Sequence, residues 1–241
     1  MIKMNVKCKW VLSAGLLSVF FISSCYSEKR SKKQIFHYNE FNGIASLDPA
    51  FAKNQSTMWP AHQVFNTLVE IDDSLHIVPS LAKNWDISDD KTIYLFHLRT
   101  DVFFHDDPAF AEGKGRKLVA DDVVYSLNRI IDKQVASPGS WIFNGKVDSI
   151  QPFIALNDST FQLRLLRPYN PILGIISMQY CSIVPKEAVE RYGTDFRRHP
   201  VGTGPFRFVD WEEGQRPNAE VSRRQQARGE HARRLCRRPG L

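Results

Sequence analysis

Alternation and helical spacing of apolar residues divide the middle of the chain into a mixed series of strands and helices. Gln34–Tyr38 reads as an opening strand, closed by Asn39 and the turn-prone pair Asn42-Gly43. Leu47-Asp48-Pro49 interrupts the chain again, because proline restricts the residue before it. Thr57–Leu68 has Ala61, Val64, Phe65 and Leu68 at helical spacing and accommodates Pro60 in a first turn. Asp86–Phe104 reads as a hairpin about the polar turn Ser88-Asp89-Asp90-Lys91. In its second strand Tyr94, Phe96 and Leu98 share one face and Ile93, Leu95 and His97 the other, so both faces are expected to be covered. On an otherwise apolar strand, His97 reads as a core histidine with its hydrogen bonds satisfied.

The clearest helix is Val119–Asp132. Val123, Leu127, Ile130 and Ile131 make its apolar stripe, and Asp121 and Asp122 sit in the first turn, where they favour the helix dipole. Strands are expected near Val147–Ile154 and Thr160–Leu165, about the turn Asn157-Asp158-Ser159. Helices follow from Pro171 to Met178 or Gln179 and over Pro185–Tyr192, the second closed by Gly193. A strand over Phe206–Trp211 comes after the turn Gly202-Thr203-Gly204-Pro205. From Pro217 onward there is no aromatic residue, and Val221 and Leu235 are the only large aliphatics. So little apolar area does not offset the entropy of ordering, and residues 217–241 are expected to be disordered.

The composition is that of an ordinary globular protein: 241 residues, 43% hydrophobic, 12% aromatic and 24% charged. The net charge of +6 suggests a nucleic-acid binder until its distribution is considered. Residues 1–24 contribute +3 through Lys3, Lys7 and Lys9, and residues 217–241 contribute +5 through seven arginines against Glu220 and Glu230. The body, 25–216, is left at −2, so no nucleic-acid partner is implied.

At the N-terminus the basic start precedes the apolar run Val11–Ile22 and then Ser23-Ser24-Cys25. As a helix that run would span only ~18 Å, against a bilayer core of ~30 Å, so it reads as a secretory signal. Ile22-Ser23-Ser24-Cys25 resembles a lipobox. On that reading residues 1–24 are a lipoprotein signal peptide, Cys25 carries the lipid and 25–33 form a polar tether. The alternative is an ordinary signal peptide with Cys25 incidental. The other cysteines are Cys8 in the signal, Cys181 in the body and Cys236 in the tail, which leaves no disulfide framework and no zinc cluster.

Catalytic chemistry finds no foothold. His105-Asp106-Asp107 contains metal-ligand types, but adjacent residues in an extended stretch point to opposite faces, and the triplet reads as a polar strand end. No serine lies in a nucleophile-elbow context, and Gly202-Thr203-Gly204 lacks the further glycine or lysine of a phosphate loop. No catalytic residue, metal or cofactor is assigned, and the body is read as a binding protein, not an enzyme.

Several segments in order resemble the family 5 bacterial extracellular solute-binding proteins, the peptide- and nickel-binding components of ABC importers. They are Phe36–Glu40 leading to Ser46-Leu47-Asp48-Pro49-Ala50, Pro79-Ser80-Leu81-Ala82-Lys83-Asn84-Trp85, Tyr94–Arg99, Val102–Asp107, Ala120–Ser126 and Gly202-Thr203-Gly204-Pro205-Phe206. The similarity runs over residues 34–216. It implies an α/β fold, the first-lobe portion of a two-lobed type II periplasmic-binding-protein-like architecture, incomplete in this chain. It also implies capture of peptides or similar small solutes outside the inner membrane, delivery to ABC permease subunits, and a lipid-anchored location on the periplasmic or extracytoplasmic side of the envelope. The solute-facing segment would be the loop near Phe51–Ser56, with Lys53 and Asn54 as candidates.

Members of this family are well over twice as long, and the Arg-rich sequence begins where they continue into a hydrophobic strand. The change implies a reading-frame shift near codon 216 and an impaired receptor fragment. The alternative is a genuine short protein, a lipid-anchored envelope adaptor whose basic tail contacts membrane or a partner.

Overall fold

Four antiparallel strands, in the spatial order β4-β5-β7-β6, form the main sheet: β4 Ala82–Ile87, β5 Ile93–Leu98, β6 Phe153–Asn157 and β7 Thr160–Arg164. The structure is a computed structural model that describes residues 35–38, 40, 43–210 and 218–221. Cross-strand pairs set the register. Tyr94 faces Leu163 and Phe96 faces Phe161, with Phe153 and Ala155 beyond them on β6. These residues share one face of the pleat, so a single apolar surface reaches across three strands. Phe161 lies between Phe96 and Phe153, with ring centroids 6.0 and 6.3 Å from its own.

That surface is covered by α2, Ala120–Ile131, whose Val123, Leu127 and Ile130 are fully buried. The i, i+4, i+7 stripe anticipated for this helix is therefore the one that enters the core. Its start is fixed by Asp122, whose Oδ2 accepts the Val119 amide at 2.9 Å. The other helices are α1 Gln55–Val64, α3 Ile172–Ile176 and α4 Lys186–Tyr192. Gly193 ends α4 with a positive φ of 51°, its amide donating back to Val189.

Two smaller sheets complete the fold. The hairpin β2 Val69–Ile71 and β3 Ile77–Pro79 turns at Asp72–His76, where the Asp72 carboxylate accepts the amides of Ser74 and His76. The third sheet has the order β1-β9-β8, with β1 Ile35–His37, β8 Phe206–Asp210 and β9 Asn218–Val221.

Several expectations need correction. Asn218–Val221 pair antiparallel on both sides, with β1 and with β8, so the expected disorder beyond Pro217 does not hold for these four residues. Main-chain pairing on two edges orders a segment that has little apolar surface of its own. The first helix runs over Gln55–Val64, not Thr57–Leu68, because Asn54 caps it and Phe65 is already extended. Pro60 consequently lies in the second turn. Val147 joins only an isolated bridge to Leu165, and β6 starts at Phe153. The outer face of β5 is only half-covered. His97 is half-exposed there and its Nε2 lies 2.7 Å from Asp86 Oδ2, so it is a surface residue within hydrogen-bond distance of Asp86, not a core one.

Candidate functional site

The loop before α1 is held from several directions. Asp48 Oδ1 accepts the Ala50 amide at 3.0 Å and so caps the single 3-10 turn Pro49–Phe51. The same carboxylate receives Arg129 from α2 in a two-pronged contact, Nη2 to Oδ2 at 2.7 Å and Nη1 to Oδ1 at 3.1 Å. Both side chains are nearly buried, 11% exposed for Arg129 and 7% for Asp48. A planar guanidinium fork suits this geometry, and a buried charge pair depends on it. The Arg129 guanidinium also lies 5.8 Å from the centre of the Phe196 ring. On the other side Ser137 Oγ donates to the Ala50 carbonyl at 2.6 Å and accepts the Gly139 amide at 3.0 Å. The Leu47 amide donates to the Arg197 carbonyl.

Beyond Ala50 the chain makes a tight reversal. Ala52, at φ −74° and ψ 64°, has inverse γ-turn geometry, and the Lys53 amide donates to the Phe51 carbonyl at 2.8 Å. Lys53 and Asn54 are therefore presented on the exposed surface. They differ in what their side chains do. Asn54 is the N-cap of α1: its Oδ1 accepts the Thr57 amide at 3.2 Å and the Thr57 hydroxyl at 2.8 Å. Lys53 presents an exposed ammonium-bearing chain beside the cap.

Sequence reasoning did not single out one exposed aromatic residue on a segment that the loop contacts. Trp141 stands in the 3-10 turn Ser140–Ile142, four residues after the Ser137 that grips Ala50, and the residue is 59% exposed. The Ser137–Trp141 segment lies close against the molecule, since a Cβ on Gly139 would fall 2.5 Å from the Tyr180 ring. Tyr180 belongs to the turn Gln179–Cys181, which packs against Pro49–Phe51. Gln179 in turn donates to His62 Nδ1 of α1 at 2.7 Å. Loop, helix start and Trp141 segment are thus linked into one shelf of backbone, on which Lys53, Asn54 and Trp141 are each exposed. An isolated tryptophan in a loop has no period to reveal it; a large exposed indole is its signal, and only the fold displays that.

The histidine of His105-Asp106-Asp107 is tied into the fold through its Nε2, while its buried Nδ1 has no hydrogen-bond partner. His105 is buried, its Nε2 donates to the Gly204 carbonyl at 2.8 Å, and its amide donates to the Gly202 carbonyl. Burial pushes its pKa down to about 4, so the ring is neutral, with its proton on Nε2. Asp106 Oδ1 accepts the Gly115 amide, while Asp107 Oδ1 accepts the Ala109 amide and the Tyr192 hydroxyl. Among the described residues no group of three or more His, Cys, Asp and Glu is placed to hold a metal ion. The Gly202-Thr203-Gly204 turn presses on the end of α1, the Gly204 amide donating to the Val64 carbonyl at 2.7 Å. A Cβ at either glycine would lie within 2.7 Å of Val64 atoms, so glycine is needed for close approach and not for a phosphate.

Asp122 serves more than the helix dipole. Arg116 spans Asp122, at 2.6 and 2.8 Å, and Glu187, at 2.6 and 2.9 Å, which ties the starts of α2 and α4 together. Arg116 holds the Glu187 carboxyl below the usual glutamate range. This network lies within the fold and presents no reactive group. Cys181 is buried, which pushes its thiol pKa up. Cys25 and the lipobox lie outside the described residues.

Residues 76–226 match the model of the bacterial extracellular solute-binding proteins, family 5 Middle, a stretch that continues past Arg216, where the resemblance was read as ending. The chain is 34% identical over 166 residues to the dipeptide-binding protein of Escherichia coli (strain K12), covering 64% of this chain and 31% of that protein. It is 31% identical over 223 residues to the peptide transport periplasmic protein SapA of Salmonella typhimurium, covering 85% and 40%. Among solved structures, DppA from Helicobacter pylori in complex with the peptide STSA superposes with a TM-score of 0.61 at 32% identity, over 70% of this chain and 35% of that one. NikZ from Campylobacter jejuni, in complex with Ni(L-His), gives 0.64 at 29% identity, over 78% and 34%. The chain thus spans about a third of the length of the relatives it matches. By sequence match over more than half its length, and by the α/β fold it shares with these structures, this chain belongs to the bacterial extracellular solute-binding proteins of family 5.

Proposed function

We propose that this chain supplies one face of the solute cleft of an ABC importer's substrate-binding protein, and that its solutes are short peptides. The observation that carries this reading is the fixed shelf of Lys53, Asn54 and exposed Trp141, built on a loop that Asp48, Arg129 and Ser137 hold rigid. A preformed surface costs little ordering on binding. Its groups suit a peptide: Lys53 offers a cation to a carboxylate, and Trp141 offers a flat apolar face. Relatives named for dipeptide binding and peptide transport support the same class. Binding and release are the whole task, with no chemistry on the solute. Delivery to permease subunits and anchoring through a lipidated Cys25 complete the reading, the latter supported by Ile22-Ser23-Ser24-Cys25.

Titration of the chain with di- and tripeptides, followed by tryptophan fluorescence, tests it. A saturable change is expected, with a Kd on the order of millimolar because a single face contacts the ligand. The change should vanish in Trp141→Phe, whereas a change that persists in that variant, or none in the unaltered chain, would contradict the reading.

A further inference from the structure

Arg129, Asp48 and Ser137 lie beneath the shelf and present nothing to a ligand, yet their contacts converge on one residue. The Ala50 amide is bound by Asp48, which Arg129 grips, and the Ala50 carbonyl is bound by Ser137. Ala50 is itself buried, and so is the Ser137 hydroxyl. Ser137 is also the hinge between the two parts of the shelf, since its oxygen accepts Gly139 just before the turn that carries Trp141. The loop on one side and the segment that carries Trp141 on the other are thus both tied to the same residue, Ala50, through the two peptide units that flank it. Arg129 belongs to the last turn of α2, so the reference is a helix whose apolar face is packed into the core.

We infer that Arg129, through Asp48, and Ser137 are positioning residues for the solute shelf: they fix the spacing between the Lys53–Asn54 loop and Trp141, and affinity depends on that spacing. This rests on the peptide-binding reading of the shelf. Arginine is required at 129 because only a forked donor meets both Asp48 oxygens while that carboxylate still caps Ala50; a lysine would keep the charge and lose one prong. At 137 only a hydroxyl both donates to Ala50 and accepts from Gly139.

The test compares the unaltered chain with Ser137→Ala, Ser137→Thr and Arg129→Lys at a temperature where all four are folded. Amide hydrogen exchange is read without ligand, and peptide affinity by fluorescence. In Ser137→Ala and Arg129→Lys, exchange at Ala50–Lys53 and at Gly139–Trp141 is expected to rise tenfold or more, while the amides of Val123–Ile130 stay unchanged. Peptide affinity should fall about tenfold in both variants. Ser137→Thr, which keeps the hydroxyl, should restore both quantities. Uniform acceleration across the molecule would overturn the inference by showing a general stability role, and so would loop acceleration with unchanged affinity. If the unaltered chain bound no peptide, the peptide reading would fail by itself. The exchange pattern would then still decide whether these residues fix the loop.

Discussion

Single residues in this chain do work that their type alone does not announce. Gly204 is a case of close approach. Its amide donates to the Val64 carbonyl at 2.7 Å, and a Cβ there would stand 2.4 Å from the Val64 carbonyl carbon. Gly204→Ala should therefore destabilise the fold by about 1–3 kcal/mol in urea denaturation, the cost of overpacking a tight contact. His105 is a case of enforced neutrality. Its folded pKa, near 4, lies below the ordinary 6.5 because the ring is buried against the Gly202–Gly204 turn. Between these values the unfolded chain takes up a proton that the folded chain refuses, so acidification favours unfolding. The His105 contribution is complete above pH 6.5 and declines as pH falls toward 4, by about 3 kcal/mol in all. Urea melts from pH 7 to 4 should show this decline, and His105→Gln, which keeps a donor for Gly204, should flatten it. Burial and the bond to Gly204, more than strand alternation, give His105 its structural task. The reading of His97 as a core residue fails because its strand has one half-open face, on which Asp86 is in reach.

At the scale of elements, periodicity was informative where an element meets the core on one face and silent where hydrogen bonds define it. Helix α2 is legible because Val123, Leu127 and Ile130 repeat at helical spacing and all become buried. The start of α1 is not, because Asn54 and Thr57 determine it through a reciprocal cap instead of through hydrophobicity. The three-residue strands β2 and β3 are too short to show an alternation, and β9 carries too little apolar surface to be noticed. The Asp122–Arg116–Glu187 network was half-legible: Asp122 could be assigned to the helix start, but Arg116 and Glu187 are 71 residues apart. The two carboxylates differ in burial, 3% against 38% exposed, and should differ in weight. Asp122→Ala is expected to cost about 3 kcal/mol, since it unpairs a buried contact and removes the bond to Val119. Glu187→Gln should cost less than about 1 kcal/mol, as exposed pairs do. Equal losses in thermal or urea unfolding would show that burial does not govern this network.

For the molecule as a whole, ordered short motifs were enough to indicate a solute-binding lobe, because segments such as Ser46–Ala50, Val102–Asp107 and Gly202–Phe206 are the junctions at which it is held together. Ser46–Ala50 is gripped by Arg129, and His105 is bonded to the Gly202–Gly204 turn. Motifs of this kind identify architecture more readily than specificity. The groups proposed to meet a solute lie far apart in sequence: Lys53 and Asn54 are suggested by the family resemblance, while Trp141 shows only through its exposure. The central claim is that this shelf receives peptide. Backbone NMR of the 241-residue chain, titrated with short peptides, tests it most directly. Shifts concentrated at residues 50–55 and 139–142 and at the Trp141 indole, saturating at millimolar peptide, are the predicted result. No shifts at those concentrations, or shifts clustered away from the shelf, would contradict it.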